Sequence, residues 1–145
     1  CYIQKKNQAL GRSRGGLTSK IHMLCNALGL PLKFILTSGE ASDCLQAIPL
    51  LEGEKAEYIL GDRGYDSQEI LDHIEIKMHA KAVIPPRSNR IVQRHYNVEI
   101  YKERNRIERL FNRLKQFRKL ALRVEKIQKN FESLIYMACI YLWLS

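Results

Sequence analysis

The sequence predicts an α/β fold, a mixed sheet flanked by helices. Three observations carry that prediction. Two short apolar runs, "EYILGD" and "AKAVIPP", are bounded by glycine and proline and separated by a helical stretch. An alternating segment, "TSKIHMLCN", is followed by "LGLP" and a second apolar run. A long late stretch repeats its apolar residues at helical spacing. At 145 residues the chain has the length of about one domain.

Residues 5–16, "KKNQALGRSRGG", mix bases, amides and three glycines without apolar periodicity, which predicts a mobile basic loop. Residues 1–16 are therefore expected to be a loop and N-terminal stub, and residues 17–145 the folded domain. The chain opens on Cys1, as a processed chain or a piece of a longer reading frame would. Next, Ile21, Met23 and Cys25 alternate onto one side of a strand, and Leu32 to Leu36 supply its antiparallel partner. "SGEASDCLQAIPLL" offers Ser42 or Asp43 as a cap for a short helix that Pro49 should kink or end.

"EYILGD" reads as a buried strand, and "DSQEILDHIEI" as a helix with Ile70, Leu71 and Ile74 inward. Asp66 and Glu69 have capping-box spacing at its start. "AKAVIPP" is a second strand stopped by Pro85 and Pro86, so the unit is strand, helix, strand, with a parallel right-handed crossover as its default. From about Glu99 to Arg118 the pattern is helical, "KLALRVEK" is ambiguous, and a last helix runs from about Lys129 to Leu144.

Several function classes drop out. Cys1, Cys25, Cys44 and Cys139 have no paired spacing, so neither a disulfide scaffold nor a zinc site is indicated, and buried thiols in a reducing cytoplasm fit best. His22, His73, His79 and His95 make no HExxH pattern and are expected to be structural. No phosphate-binding or dinucleotide loop is present. The most apolar stretch, Leu134 to Leu144, has 11 residues, short of the roughly 20 that span a bilayer, so no membrane partner is expected.

The net charge of +9 is concentrated. Residues 87–129 hold 14 Lys/Arg against 4 Asp/Glu, a net +10, and the remainder holds 10 against 11. Positive charge gathered in this way is the footprint of a polyanion partner, usually nucleic acid. A solvated basic helix face is the plainer alternative.

Within that segment lies "YKERNRIERLFNRLK", Tyr101 to Lys115. Advancing about 100° per residue brings Tyr101, Arg104, Glu108 and Lys115 into one stripe about 60° wide. Ile107, Leu110, Leu114, Phe117 and Ala121 fall on the opposite side. Glu108 is then either half of an i,i+4 pair with Arg104, contributing about 0.2–0.5 kcal/mol, or a carboxylate kept ionised by neighbouring cations for a divalent metal. A second candidate is Asp62, at the C-terminal end of a buried strand, where open α/β sheets present ligands. Its plain alternative is to open the following turn. Acids on separate elements, with bases to grip the backbone, are what metal-dependent phosphoryl transfer needs, and oxygen ligands select Mg2+ or Mn2+.

These residues resemble a known family. Tyr101, Arg104, Glu108 and Lys115 match the Y-(2)-R-(3)-E-(6)-K signature of bacterial insertion-sequence transposases of the DDE superfamily. "GRSRGGLTSKIH", "SGEASD" and "LGDRGYDS" are similar to the same group's catalytic domain, in the same order. The resemblance implies an RNase H-like fold, with Asp62 and Glu108 as catalytic acids coordinating Mg2+ or Mn2+. It implies DNA contacts from Tyr101, Arg104 and Lys115, joined by Arg12 and Arg14 of the basic loop. It further implies double-stranded DNA at element ends and target, a homodimer at synapsis, and a bacterial cytoplasmic, nucleoid-associated location.

One departure is plain. The family's first Asp lies on a strand preceding "GRSRGG", and residues 1–11 contain no acid, while Asp43 comes too late to replace it. In the implied fold that strand is central, between the hairpin and the strand bearing Asp62. The sequence thus predicts a sheet lacking its first, central strand, with "CYIQ" at most a stub, two unpaired edges, and a chain inactive on its own. A non-catalytic DNA-binding remnant or regulator of transposition, and a metal-dependent nuclease without strand transfer, are the competing readings.

Overall fold

The computed structural model describes residues 2–5 as backbone, and residues 19–39, 41–122 and 127–145 with side chains. The described strands are β1 (Tyr2–Lys5), β2 (Ser19–Cys25), β3 (Pro31–Ser38), β4 (Tyr58–Gly61) and β5 (Lys81–Val83), and they form one sheet in the order β3-β2-β1-β4-β5. The β2–β3 hairpin is antiparallel as its alternation predicts, and β4 and β5 are parallel. Its turn depends on local chemistry. The Asn26 side chain accepts from the Leu28 and Leu30 amides, and Gly29 takes a φ of 78°, which a side chain would resist.

The expectation of a missing central strand is corrected here. Tyr2–Lys5 occupies that place, antiparallel to β2 with Tyr2 opposite Cys25, and parallel to β4 with Tyr2 beside Leu60 and Ile3 beside Gly61. Neither β2 nor β4 is left with an unpaired edge on that side. Four residues are too few to show a period, yet they suffice for a strand paired on both sides.

Helices cover both faces. On one face lie α1 (Cys44–Leu51) and α2 (Gln68–Asp72), the latter continuing into a wider turn over His73–Lys77. On the other lie α3 (Val98–Lys102), α4 (Asn105–Gln116), α5 (Arg118–Ala121) and α6 (Gln128–Leu144). Strand alternation divides the core between them. Met23, Cys25, Leu60 and Val83 pack with Ile107, Leu110, Leu114, Phe131 and Ile135, whereas Leu24, Ile59 and Ile84 pack with Leu50, Ile70 and Ile74.

Two local expectations change. Pro49 does not end α1, which runs on to Leu51 and closes with the Glu52 amide on the Ile48 carbonyl. Lys33 of β3 donates to the Pro49 and Glu52 carbonyls at 3.0 and 3.2 Å, a cation on the carbonyl end of the helix. At α2 the cap is Ser67, whose Oγ accepts from the Ile70 amide at 3.3 Å, so Asp66 is freed from the predicted capping box.

The buried thiols set an alkaline limit on stability. Burial pushes Cys25 from 9.0 to about 12 and Cys139 from 9.0 to about 11. The folded chain then holds protons that the unfolded chain releases near pH 9, so this contribution is complete below pH 9 and is lost as pH rises toward 11 and 12. Urea midpoints should therefore fall steadily above pH 9, and Cys25→Ser, a smaller and more polar side chain, should start from a lower midpoint and fall less steeply.

Candidate active site

Asp62 ends β4 at the edge where the parallel strands finish, with extended backbone (φ −77°, ψ 171°). Its Oδ1 accepts from the Gly64 amide at 2.7 Å, opening a tight turn over Arg63–Tyr65. A Cβ on residue 64 would stand 2.8 Å from Asp62 Oδ1, so a larger residue there would force that carboxylate to shift. Behind the turn, Tyr65 is buried to 1% exposure. Burial first, then the charges of Asp62 and Asp43, raise its phenol far above the usual range, which locates both carboxylates near this ring.

The turn is also held from outside. Arg87 donates through Nη2 to the Gly64 carbonyl at 2.9 Å, and Cys44 Sγ donates to the same oxygen at 2.7 Å. Asp66, whose side chain is 0% exposed, accepts from the Arg87 amide at 2.7 Å and from Arg94 Nη2 at 2.9 Å, and forms an ion pair with Arg90, whose Nε lies 3.0 Å away. These partners lie 21 to 28 residues later, so sequence reasoning took Asp66 for a cap and missed the clamp. The local "DSQE" pattern masked it, and nothing nearby signals the distant arginines.

Glu108 comes from α4. The predicted single helix is interrupted at Glu103 and Arg104, between α3 and α4, but both residues keep right-handed helical angles. The stripe is therefore nearly preserved. The Arg104 guanidinium lies 5.6 Å from the Tyr101 ring centre, and Arg104 Nη2 donates to Glu108 Oε1 at 2.6 Å. Lys115 is exposed about two turns beyond Glu108. The predicted apolar side is buried in Ile107, Leu110 and Leu114, joined by Phe111, while Phe117 packs at the margin.

Tyr101 joins the two acids' surroundings. Its phenol is raised first by burial, lowered by Arg104, raised by Asp62 and Tyr96, and lowered by Arg63. Asp62 and Arg104 thus act on one ring from different elements, and Arg104 is bonded to Glu108. Arg12 and Arg14, the other expected DNA contacts, lie outside the described residues.

The donor set matches a hard divalent cation in kind and falls short of it in number. Asp62 Oδ2 and Glu108 Oε2 make no hydrogen bond among the described residues, leaving one carboxylate oxygen on each acid for a ligand. No group of three or more His, Cys, Asp or Glu suited to a metal occurs among the described residues, and β1, beside Asp62, carries no acid at all. His22, buried at 1%, contacts Thr37 Oγ1 at 2.7 Å and lies 3.6 Å from Asp43, in line with the structural role expected for it. No helix among the described residues is long and apolar enough to cross a membrane.

A strand-end aspartate and a helical glutamate set among arginines, on a mixed α/β sheet, are an arrangement that phosphodiester chemistry can use. Residues 3–143 match the family described as the transposase DDE domain, and the chain belongs to that family, as an insertion-sequence transposase of the DDE superfamily. It is similar to a putative transposase for insertion sequence element IS6501 from Brucella ovis, at 36% identity over 129 residues, covering 88% of this chain and 99% of the relative. No solved structure matches the chain.

Proposed function

We propose that the chain is the RNase H-like catalytic domain of a DNA transposase that cuts at insertion-element ends and joins the freed 3′-hydroxyl to target DNA. The observation that carries this reading is the shared neighbour of the two acids: Tyr101 lies in the field of Asp62 and against Arg104, which is bonded to Glu108. The strand order supports it, since the hairpin, the central strand and the Asp62 strand follow one another as such a fold requires. Asp62 and Glu108 would hold Mg2+ or Mn2+, which when bound supplies Lewis-acid stabilisation of charge on the phosphate.

The chain's own side chains have distinct tasks in this reading. Arg104 orients the Glu108 carboxylate through a charge-assisted hydrogen bond and keeps its outer face toward a phosphate. Lys115 holds a phosphate further along the helix, Tyr101 packs against the DNA end, and Arg12 and Arg14 add contacts from the basic loop. Synapsis of two ends asks for a homodimer, and the partner places the protein at the bacterial nucleoid. The DNA-binding remnant or regulator is kept as a second reading because β1 brings no carboxylate to Asp62.

Titrating a labelled duplex at several salt concentrations tests the partner. Affinity should fall with a log–log slope of about −0.9 per phosphate contacted. Glu108→Gln should bind as tightly as the parent, because a metal ligand is dispensable for holding the backbone. A flat salt response would remove DNA from the reading, and an equal loss of binding in Glu108→Gln would reduce Glu108 to a helix-stabilising partner of Arg104.

A further inference from the structure

The basic segment is not one surface. Its first part is tied to acids within the molecule: Arg90 and Arg94 to Asp66, Lys102 to Glu99, Arg106 to Glu103, Arg104 to Glu108. Beyond Glu108 the pattern changes. Residues 109–122 contain no acid, and among the described residues Arg109 and Lys115 form no ion pair.

The outer face of α4 carries an unusual set of side chains for a solvated helix. Measured around the helix from Glu108, Lys115 falls near −20°, Asn112 near 40°, Asn105 near 60°, Gln116 near 80° and Arg109 near 100°. All five are exposed, while Ile107, Leu110, Phe111 and Leu114 occupy the opposite, buried side. Solvated helices are usually laced with i,i+4 pairs of opposite charge, as the chain has around Glu103 and Arg104. Here three carboxamides and two cations share a stripe whose one acid is Glu108, already paired with Arg104, and the carboxamides make no side-chain hydrogen bond among the described residues. Carboxamides offer a paired donor and acceptor, the chemistry that reads base edges, and cations hold the flanking phosphates.

We propose that this face of α4 is a DNA-reading surface, with Asn105, Asn112 and Gln116 on base edges and Arg109 and Lys115 on phosphates. The proposal rests on the transposase reading above and names the part of the chain that senses sequence. From Asn105 to Gln116 the stripe spans about 16 Å, about five base steps, and an α-helix is narrow enough for a major groove about 12 Å wide. Because Glu108 lies within the stripe, the base pairs it reads adjoin the bond that is cut.

The test uses the whole chain and a pool of short duplexes with a randomised centre, selected over several rounds and sequenced. The parent should enrich a preference over a few adjacent positions. Asn112→Ala with Gln116→Ala should bind the unselected pool within about twofold of the parent and lose that preference, with helix content and urea midpoint kept, since both sites are exposed and alanine favours the helix. Arg109→Gln should lower the salt slope by about 1 without altering the preference. An unchanged preference in the double variant, a parent that enriches nothing, or an unchanged slope in Arg109→Gln would overturn the proposal while leaving the transposase reading intact. Failure of the parent to bind the pool at all would overturn both.

Discussion

Replacing Asp66 with alanine is expected to lower the free energy of unfolding by about 3 kcal/mol, more than any single substitution on the chain's surface. The carboxylate has no exposed atoms, accepts from the Arg87 amide and Arg94, and is ion-paired with Arg90. Truncation leaves a buried amide without its acceptor and two guanidinium groups without a counter-charge. The arginines are 23% and 25% exposed, so water recovers part of that loss, which holds the figure at the lower end of the range for a broken buried pair. A domain of this size is stable by about 5–15 kcal/mol, so the variant should remain folded but show a clearly lower urea midpoint at an unchanged slope. Hydrogen exchange should quicken first in residues 87–94 and at the Gly64 amide, because one network holds both segments. An unfolding free energy within about 0.5 kcal/mol of the parent's would show that the clamp contributes nothing.

That network marks the boundary of what the sequence discloses. The β2–β3 hairpin and the β4–α2–β5 unit are legible because their signals are local: alternation in Ile21, Met23 and Cys25, and apolar runs closed by Gly61 and by Pro85. The inner face of α4 is legible for the same reason, through the 3.6-residue spacing of Ile107, Leu110 and Leu114. The central strand is not, because four residues carry no period and only their pairing with β2 and β4 defines them. Asp66 is not, because its partners are distant in the chain and a local cap explains the same letters equally well.

The candidate site divides along the same line. Asp62 and Glu108 can each be picked out by position, one at a strand end and one on a helix stripe. What the sequence does not give is how much of the surrounding charge is already spent. The clustered cations read as one electrostatic surface, whereas Arg90, Arg94, Lys102, Arg104 and Arg106 are bonded to acids, and beyond Glu108 Arg109 and Lys115 form no ion pair among the described residues.

Incubated with Mn2+ and labelled duplex ends, the chain should yield neither nicked nor joined product, and Gln4→Asp should make cleavage detectable. The register supplies the position: Ile3 lies beside Gly61 on the parallel ladder, so the next residue, Gln4, lies level with Asp62. A carboxamide is in general a weak neutral donor to a hard cation, whereas an aspartate at position 4 is expected to add a third carboxylate to Asp62 and Glu108. Without metal the new charge should cost stability, because neighbouring carboxylates repel and one is driven to keep its proton. Mn2+ should reverse that cost, raising the unfolding free energy of Gln4→Asp by about 2.7 kcal/mol at a hundredfold excess over its dissociation constant, and raising the parent's far less. Adding Glu108→Gln to Gln4→Asp should remove both the stabilisation and the cleavage. Robust joining by the unaltered chain would refute its inactivity, because two acids would then be enough. A Gln4→Asp variant that folds, binds duplex and gains nothing from Mn2+ would place the third carboxylate on some residue other than position 4.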